Sequence, residues 1–219
     1  MAIELPLFPL DVVLFPGEEL PLHIFEPRYR LMINECYEQK SPFGIVLVRP
    51  DSKHLKEETY SVGTMAEIEV LDRLEDGRIN LIARGLQRFR ILDQHRQKPY
   101  LTGLVEVYED RVVQDQNLTT DANQARELFD SYLQIFLEVV GKEDIEFNLP
   151  TAPEELSHFI AYFLDVQNER KQQLLELTST AQRLGEEIDI LRQEVPIMRQ
   201  MLSFKNPFRP MDPDRSMLN

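Results

Sequence analysis

The chain has 219 residues, 42% of them hydrophobic and 28% charged, enough for a buried core in one large or two modest domains and unlike a disordered polyelectrolyte. Its net charge of −14 is shared by both halves, so it lacks the basic footprint that nucleic-acid binding needs. A single cysteine, Cys36, excludes an internal disulfide and fits a reducing, cytoplasmic compartment, and no apolar run reaches the roughly 18 residues of a membrane span.

Strand-like sequence begins by Ile3, which leaves no room at the front for a signal or transit peptide. The opening stretch "LPLFPLDVVLFPGEELPLHIFEPRY" (5–29) is rich in strand formers, yet Pro6, Pro9, Pro16, Pro21 and Pro27 interrupt it, each removing a ladder donor. "PRYRLMINECYEQK" (27–40) predicts a helix, with Pro27 in its first turn and Tyr29, Met32, Ile33 and Cys36 on one face. "FGIVLV" (43–48) predicts a short buried strand. "TMAEIEVLDRL" (64–74) and "RINLIARGLQRFRIL" (78–92) predict two longer strands around a turn at Asp76-Gly77, and "YLTGLVEVYED" (100–110) predicts another. Gly63, Gly85 and Gly103 fall where a bulge or bend would let the sheet curl.

From about residue 119 the apolar period changes from 2 to 3.6. Helices are predicted over 121–141, stopping at Gly141, and over 151–164, with Thr151 and Glu154 at capping-box spacing and Pro153 in the first turn. A short helix over 168–177 precedes a last one that begins near Ser179 and runs to about Val195 or beyond. Along it Leu177, Ala181, Leu184, Ile188, Leu191, Val195, Met198 and Leu202 form a heptad-like seam, with Pro196 expected to kink or stop the helix. The seam is expected to pack on its own bundle, a weak homo-oligomer being the alternative. The organisation is α+β: a β-rich domain over 1–115, a helical bundle over 116–203, and a flexible tail over 204–219.

Fixed-spacing motifs for catalysis are absent. The one Gly-Lys pair, Gly141-Lys142, lacks both the upstream glycine and the following hydroxyl of a phosphate loop, and there is no G-x-S-x-G, H-E-x-x-H or C-x-x-C. His23 and Glu26 lie three apart in a proline-bracketed extended stretch, which points them to opposite faces. The expectation is a surface or hydrogen-bonded His23, Glu26 as helix N-cap, a buried Cys36, and no enzyme, metal or cofactor.

Two binding candidates remain. "FEPRY" is a strand-to-helix junction where Phe25 and Tyr29 offer apolar area and Glu26 and Arg28 offer charge, which suits an extended peptide. Arg84, Arg88 and Arg90 alternate on one face of "RGLQRFRI", which reads as a solvent-facing sheet edge or a weak anion site.

The block "LPLFPLDVVLFPGEELPLHIFEPRYRLMI", followed by "FGIVLV", "VGTMAEIEVLDRLEDGRINLIARGLQRFRI" and "KQQLLELTSTAQRL", resembles the N-terminal, substrate-binding domain of Lon proteases and the related Lon-like domain of cereblon, over roughly residues 3 to 203. The resemblance implies a PUA-like pseudo-barrel followed by a helical bundle, with the prolines at strand starts and irregular edges. The 219 residues hold neither motor nor Ser-Lys protease domain, as in stand-alone Lon-domain proteins. The implied function is non-catalytic recognition of unfolded or tagged polypeptides, or an adaptor role towards a protease or chaperone. A PUA-like small-molecule or RNA-binding domain is the alternative.

Overall fold

The computed structural model describes residues 2–50, 58–111, 117–141 and 147–205. Strands β1 (Ile3–Leu10), β2 (Glu19–Ile24), β3 (Phe43–Leu47), β4 (Val62–Arg73), β5 (Ile79–His95) and β6 (Leu101–Val107) fill the first half, with helix α1 (Pro27–Gln39) between β2 and β3. Helices α2 (Leu118–Val140), α3 (Pro153–Phe163), α4 (Asn168–Glu176) and α5 (Thr180–Lys205) follow. The fold is α+β, with a sheet core and C-terminal helices. Strand order is β2-β5-β4-β3-β1-β6, and β5 also pairs with β6. The long β5 achieves this by giving its first part to β2 and β4 and its last part, Phe89–His95, to β6. Register shifts between Thr64 and Ala66, Ile68 and Val70, and Ile91 and Asp93 supply the local twist that such bending needs.

The proline-rich opening has a specific explanation. Of the two places the resemblance implied, strand starts and irregular edges, Pro6 and Pro9 take the second: they lie inside β1, not at its start. Residues Ile3–Leu7 pair with β6 and residues Leu7–Leu10 pair with β3, so each half of the strand has one registered neighbour. Each proline therefore has an unpaired side on which a missing N–H costs no ladder bond. Gly85 serves a related end: a Cβ there would lie 2.3 Å from the Phe15 carbonyl oxygen. Its absence lets the 15–18 loop cross the sheet and bond it, Gly17 N–H to the Gly85 carbonyl at 2.9 Å and Gly85 N–H to that of Glu18 at 2.8 Å.

Three apolar clusters result. One lies between α1 and the sheet and includes Phe8, Met32, Ile33, Cys36 and Phe43; a second, with Leu7, Met65 and Phe89, fills the sheet's interior. The largest joins the halves, because Val13, Phe15, Leu47 and Val62 pack with the helical core. Leu184, Ile188, Leu191 and Val195 are buried in it, so the α5 seam faces its own bundle.

Two expected boundaries are corrected. Helix α3 takes Ala152 as N-cap with no side-chain cap bond, because Pro153 at the first helical position sets the start and leaves Thr151 one residue too early. Helix α5 runs beyond Val195, the longer of the expected bounds, and of the kink or stop expected at Pro196 the stop does not occur; it continues to Lys205, since apolar packing of Met198 and Leu202 against the bundle offsets the lost backbone bond. The expected tail, 204–219, lies outside the described residues apart from Phe204 and Lys205 in α5.

Candidate functional site

The outward face of the β2–β5–β4 strands is laid out by register. Pro21, Ile82 and Val70 stand opposite one another across the three strands, and His23, Asn80 and Asp72 form the next row. The opposite faces of the same strands turn inward, with Ile24, Ile79, Leu81 and Ala83 buried, so alternation leaves these rows to solvent. Val70 is 51% exposed, and the rows border a shallow depression of 320 Å³. His23 Nδ1 lies 2.7 Å from Asn80 Oδ1, which confirms a hydrogen-bonded surface histidine.

Phe25 extends this face. It is 61% exposed, and its ring stacks beside that of His23 at 6.3 Å. Glu26 is the N-cap residue of α1, as expected, but its carboxylate accepts from Arg28 Nε at 2.9 Å instead of capping the helix. Tyr29 follows its place on the apolar face of α1 and not the binding reading. Its ring is buried against Phe8 at 4.3 Å between centroids, with the Arg28 guanidinium over it, because the first turn of α1 lies on the sheet. Phe25, Glu26 and Arg28 are thus available to a ligand, and Tyr29 anchors the helix that carries them.

The arginine stripe is also divided. Arg84 and Arg90 are half-exposed and pair loosely with Glu69 at 3.8 Å and Glu106 at 3.9 Å. Arg88 is buried, so the three do not make a solvent-facing anion site. Its guanidinium donates to the Leu175 and Leu177 carbonyls at 2.7 and 2.6 Å and to Asp110. Asp110 also accepts from Arg183 of α5 at 2.8 Å and from Thr180 at 2.7 Å, and Arg183 donates to Ser157 of α3. This buried Arg88–Asp110–Arg183 triad fastens the sheet to the bundle. Nothing local in "RGLQRFRI" announces it, because the helices that cover Arg88 come some 90 residues later.

A family model for the ATP-dependent protease La (LON) substrate-binding domain matches residues 4–193. The chain belongs to this family. Among curated relatives, the Lon protease of Anaeromyxobacter dehalogenans is 28% identical over 199 residues, covering 89% of this chain and 24% of that protein. Lon protease 2 of Myxococcus xanthus is also 28% identical, over 210 residues and the same shares. The chain thus spans about a quarter of the length of these relatives. A solved Lon N-terminal domain protein from Xanthomonas campestris superposes with a TM-score of 0.63 at 25% identity, covering 84% of this chain and 96% of that one. The N-terminal domain of Mycobacterium avium complex Lon protease gives a TM-score of 0.65 at 21% identity, covering 87% and 98%, and bears on the fold alone. Within the Lon family, the matched segment is the substrate-binding part, without the ATPase and protease machinery. Among the described residues no helix is long and apolar enough to cross a membrane.

Proposed function

We propose that this Lon-family domain is a non-catalytic module that binds unfolded or partly folded polypeptide on the outward β2–β5–β4 face, in a reducing, cytoplasmic setting. The supporting observation is the run of apolar groups, with Phe25, Pro21 and Val70 exposed and Ile82 half-buried between them, on an ordered sheet surface beside a charged pair, Glu26 and Arg28. Apolar side chains give a client affinity, and the charged rim orients it. An adaptor role towards a protease or chaperone uses the same surface, with the partner in place of the client. A PUA-like pseudo-barrel is the reading of the sheet that suits the pairing of β5 with both β4 and β6.

The test is anisotropy with a labelled, permanently unfolded polypeptide. Phe25→Ser with Val70→Ser should weaken binding about 5- to 30-fold, the range of one hot spot of 1–2 kcal/mol. Exchange of charge by Glu26→Lys with Arg28→Glu should weaken it less. Both variants should melt close to wild type, because exposed positions cost within about 0.5 kcal/mol each. Unchanged affinity in a variant of unchanged melting temperature removes this face as the site.

A further inference from the structure

Strand β2 stands at the end of the strand order and pairs only with β5, so among the described residues its other side is an open edge. The ladder decides which backbone groups face that edge. Gly85 N–H donates to the Glu18 carbonyl at 2.8 Å, and the antiparallel register then runs without a shift from Glu19 opposite Arg84 to Ile24 opposite Ile79. Bonding towards β5 therefore alternates through Leu20, Leu22 and Ile24, and the N–H and C=O groups of Glu19, Pro21 and His23 point away from it. A contact from outside the sheet agrees with this parity: the Tyr162 hydroxyl of α3 donates to the Glu19 carbonyl at 2.7 Å.

Four backbone groups remain on the edge, the N–H of Glu19, the C=O of Pro21, and the N–H and C=O of His23. Among the described residues none of them has a hydrogen-bond partner, and all three residues are exposed. Backbone donors and acceptors recurring at every second residue are complementary to one kind of ligand, the backbone of another strand.

Two features choose the occupant. Side chains of an added strand that lie opposite Pro21 and His23 share their face, so they prolong the outward rows that hold Pro21, Ile82 and Val70. The open edge and the apolar face are thereby one continuous surface. Pro21 acts against a second copy of this chain, because two β2 edges laid together bring two residues that lack an N–H. A foreign strand without proline supplies the donor that the Pro21 carbonyl needs.

We infer that an extended polypeptide segment binds as an added antiparallel strand on the open edge of β2, its backbone bonding at Pro21 and His23 and its alternate side chains lying on the outward face. The inference rests on the outward-face reading and adds the mode of recognition. Main-chain bonding accepts clients of unlike sequence, provided that the segment is extended and free of proline.

The test uses the full chain and a labelled peptide of alternating valine and threonine with lysines at both ends, by anisotropy. With its valines on the outward face, antiparallel pairing aims the valine N–H groups at β2 and the threonine N–H groups at solvent. N-methylation of the valines should weaken binding about five- to thirtyfold, the loss of one or two hydrogen bonds, whereas N-methylation of the threonines should change it by no more than about twofold. His23→Pro removes the edge N–H and no bond to β5, so it should bind about fivefold more weakly than His23→Ala, which lacks the same ring. Should His23→Pro fail to fold, amide exchange in the wild-type protein gives the same reading. The His23 N–H should be protected by the threonine-methylated peptide and not by the valine-methylated one. Equal effects of the two methylations, or none from either, overturn the inference. If binding in that case still falls with Phe25→Ser and Val70→Ser, the outward face stands and only the edge is lost. A dimer of the free chain that His23→Pro dissociates in light scattering gives the edge to a second copy and overturns the client assignment.

Discussion

Asp110→Asn is the most informative single change in the joint between sheet and bundle. The carboxylate is 9% exposed and neutralises two guanidiniums, on Arg88 and Arg183, that are 2% and 0% exposed. The amide keeps the shape but leaves two buried positive charges facing each other without a counter-ion. Removing one partner of a buried ion pair costs about 3–5 kcal/mol, because the remaining charge keeps its desolvation penalty. Against a typical total of about 5–15 kcal/mol, that is a large share of the fold's stability. At about 2–4 °C per kcal/mol for a chain of this size, the melting temperature should fall by about 6–20 °C. The chain has no tryptophan, so urea unfolding is best followed by far-UV circular dichroism, with hydrogen exchange to locate the loosening at the α4–α5 junction. Acid provides a second reading. Burial alone would raise the Asp110 carboxyl, but the hydrogen bond and charge of Arg183, with Thr180 and Arg88, outweigh it and hold the group at about 2. Its folded pKa is below its unfolded one, so its contribution is complete above about pH 4 and disappears as pH falls through 2. The asparagine variant should lack that part of the acid transition. A loss below about 1 kcal/mol, or an unchanged acid limb, would refute the triad as the fastener.

Glu18→Gln should act in the opposite pH direction. Burial, with Glu19 nearby, pushes the Glu18 carboxyl from near 4.5 up to about 7 in the fold in spite of Arg84, so the native protein loses stability as pH rises from about 4.5 through 7. The glutamine variant should escape that decline, and thermal melts that fall in parallel for both proteins across this range would contradict the burial argument. Leu184→Asp places a carboxylate at a fully buried position of α5 and should unfold the helical half, seen as lost helical dichroism and lost exchange protection in α2 and α5. A variant that stays folded while a dimer dissociates in light scattering would show that the seam joins two chains.

Elements whose information is local were legible in the sequence. The switch of apolar period near residue 119, the Asp76-Gly77 turn, the Pro27 start of α1 and the Gly141 end of α2 are decided by backbone preference and face patterning within a few residues. Gly77 and Gly141 indeed have φ of 80° and 70°, and α1 and α2 have their expected faces buried. The candidate rim was partly legible for the same reason: alternation in β2 places Pro21 and His23 outward, and Phe25 continues the series. Tyr29 was ambiguous, because an aromatic at a junction packs inward or outward according to where the helix lands. The role of Arg88 was beyond sequence reading altogether. Strand alternation puts Arg84, Arg88 and Arg90 on similar terms, and only the fold brings Asp110, Arg183 and the Leu175 and Leu177 carbonyls over the middle one. Periodicity determines which side of an element is apolar, whereas tertiary packing determines which polar groups lose water and which partners they meet there.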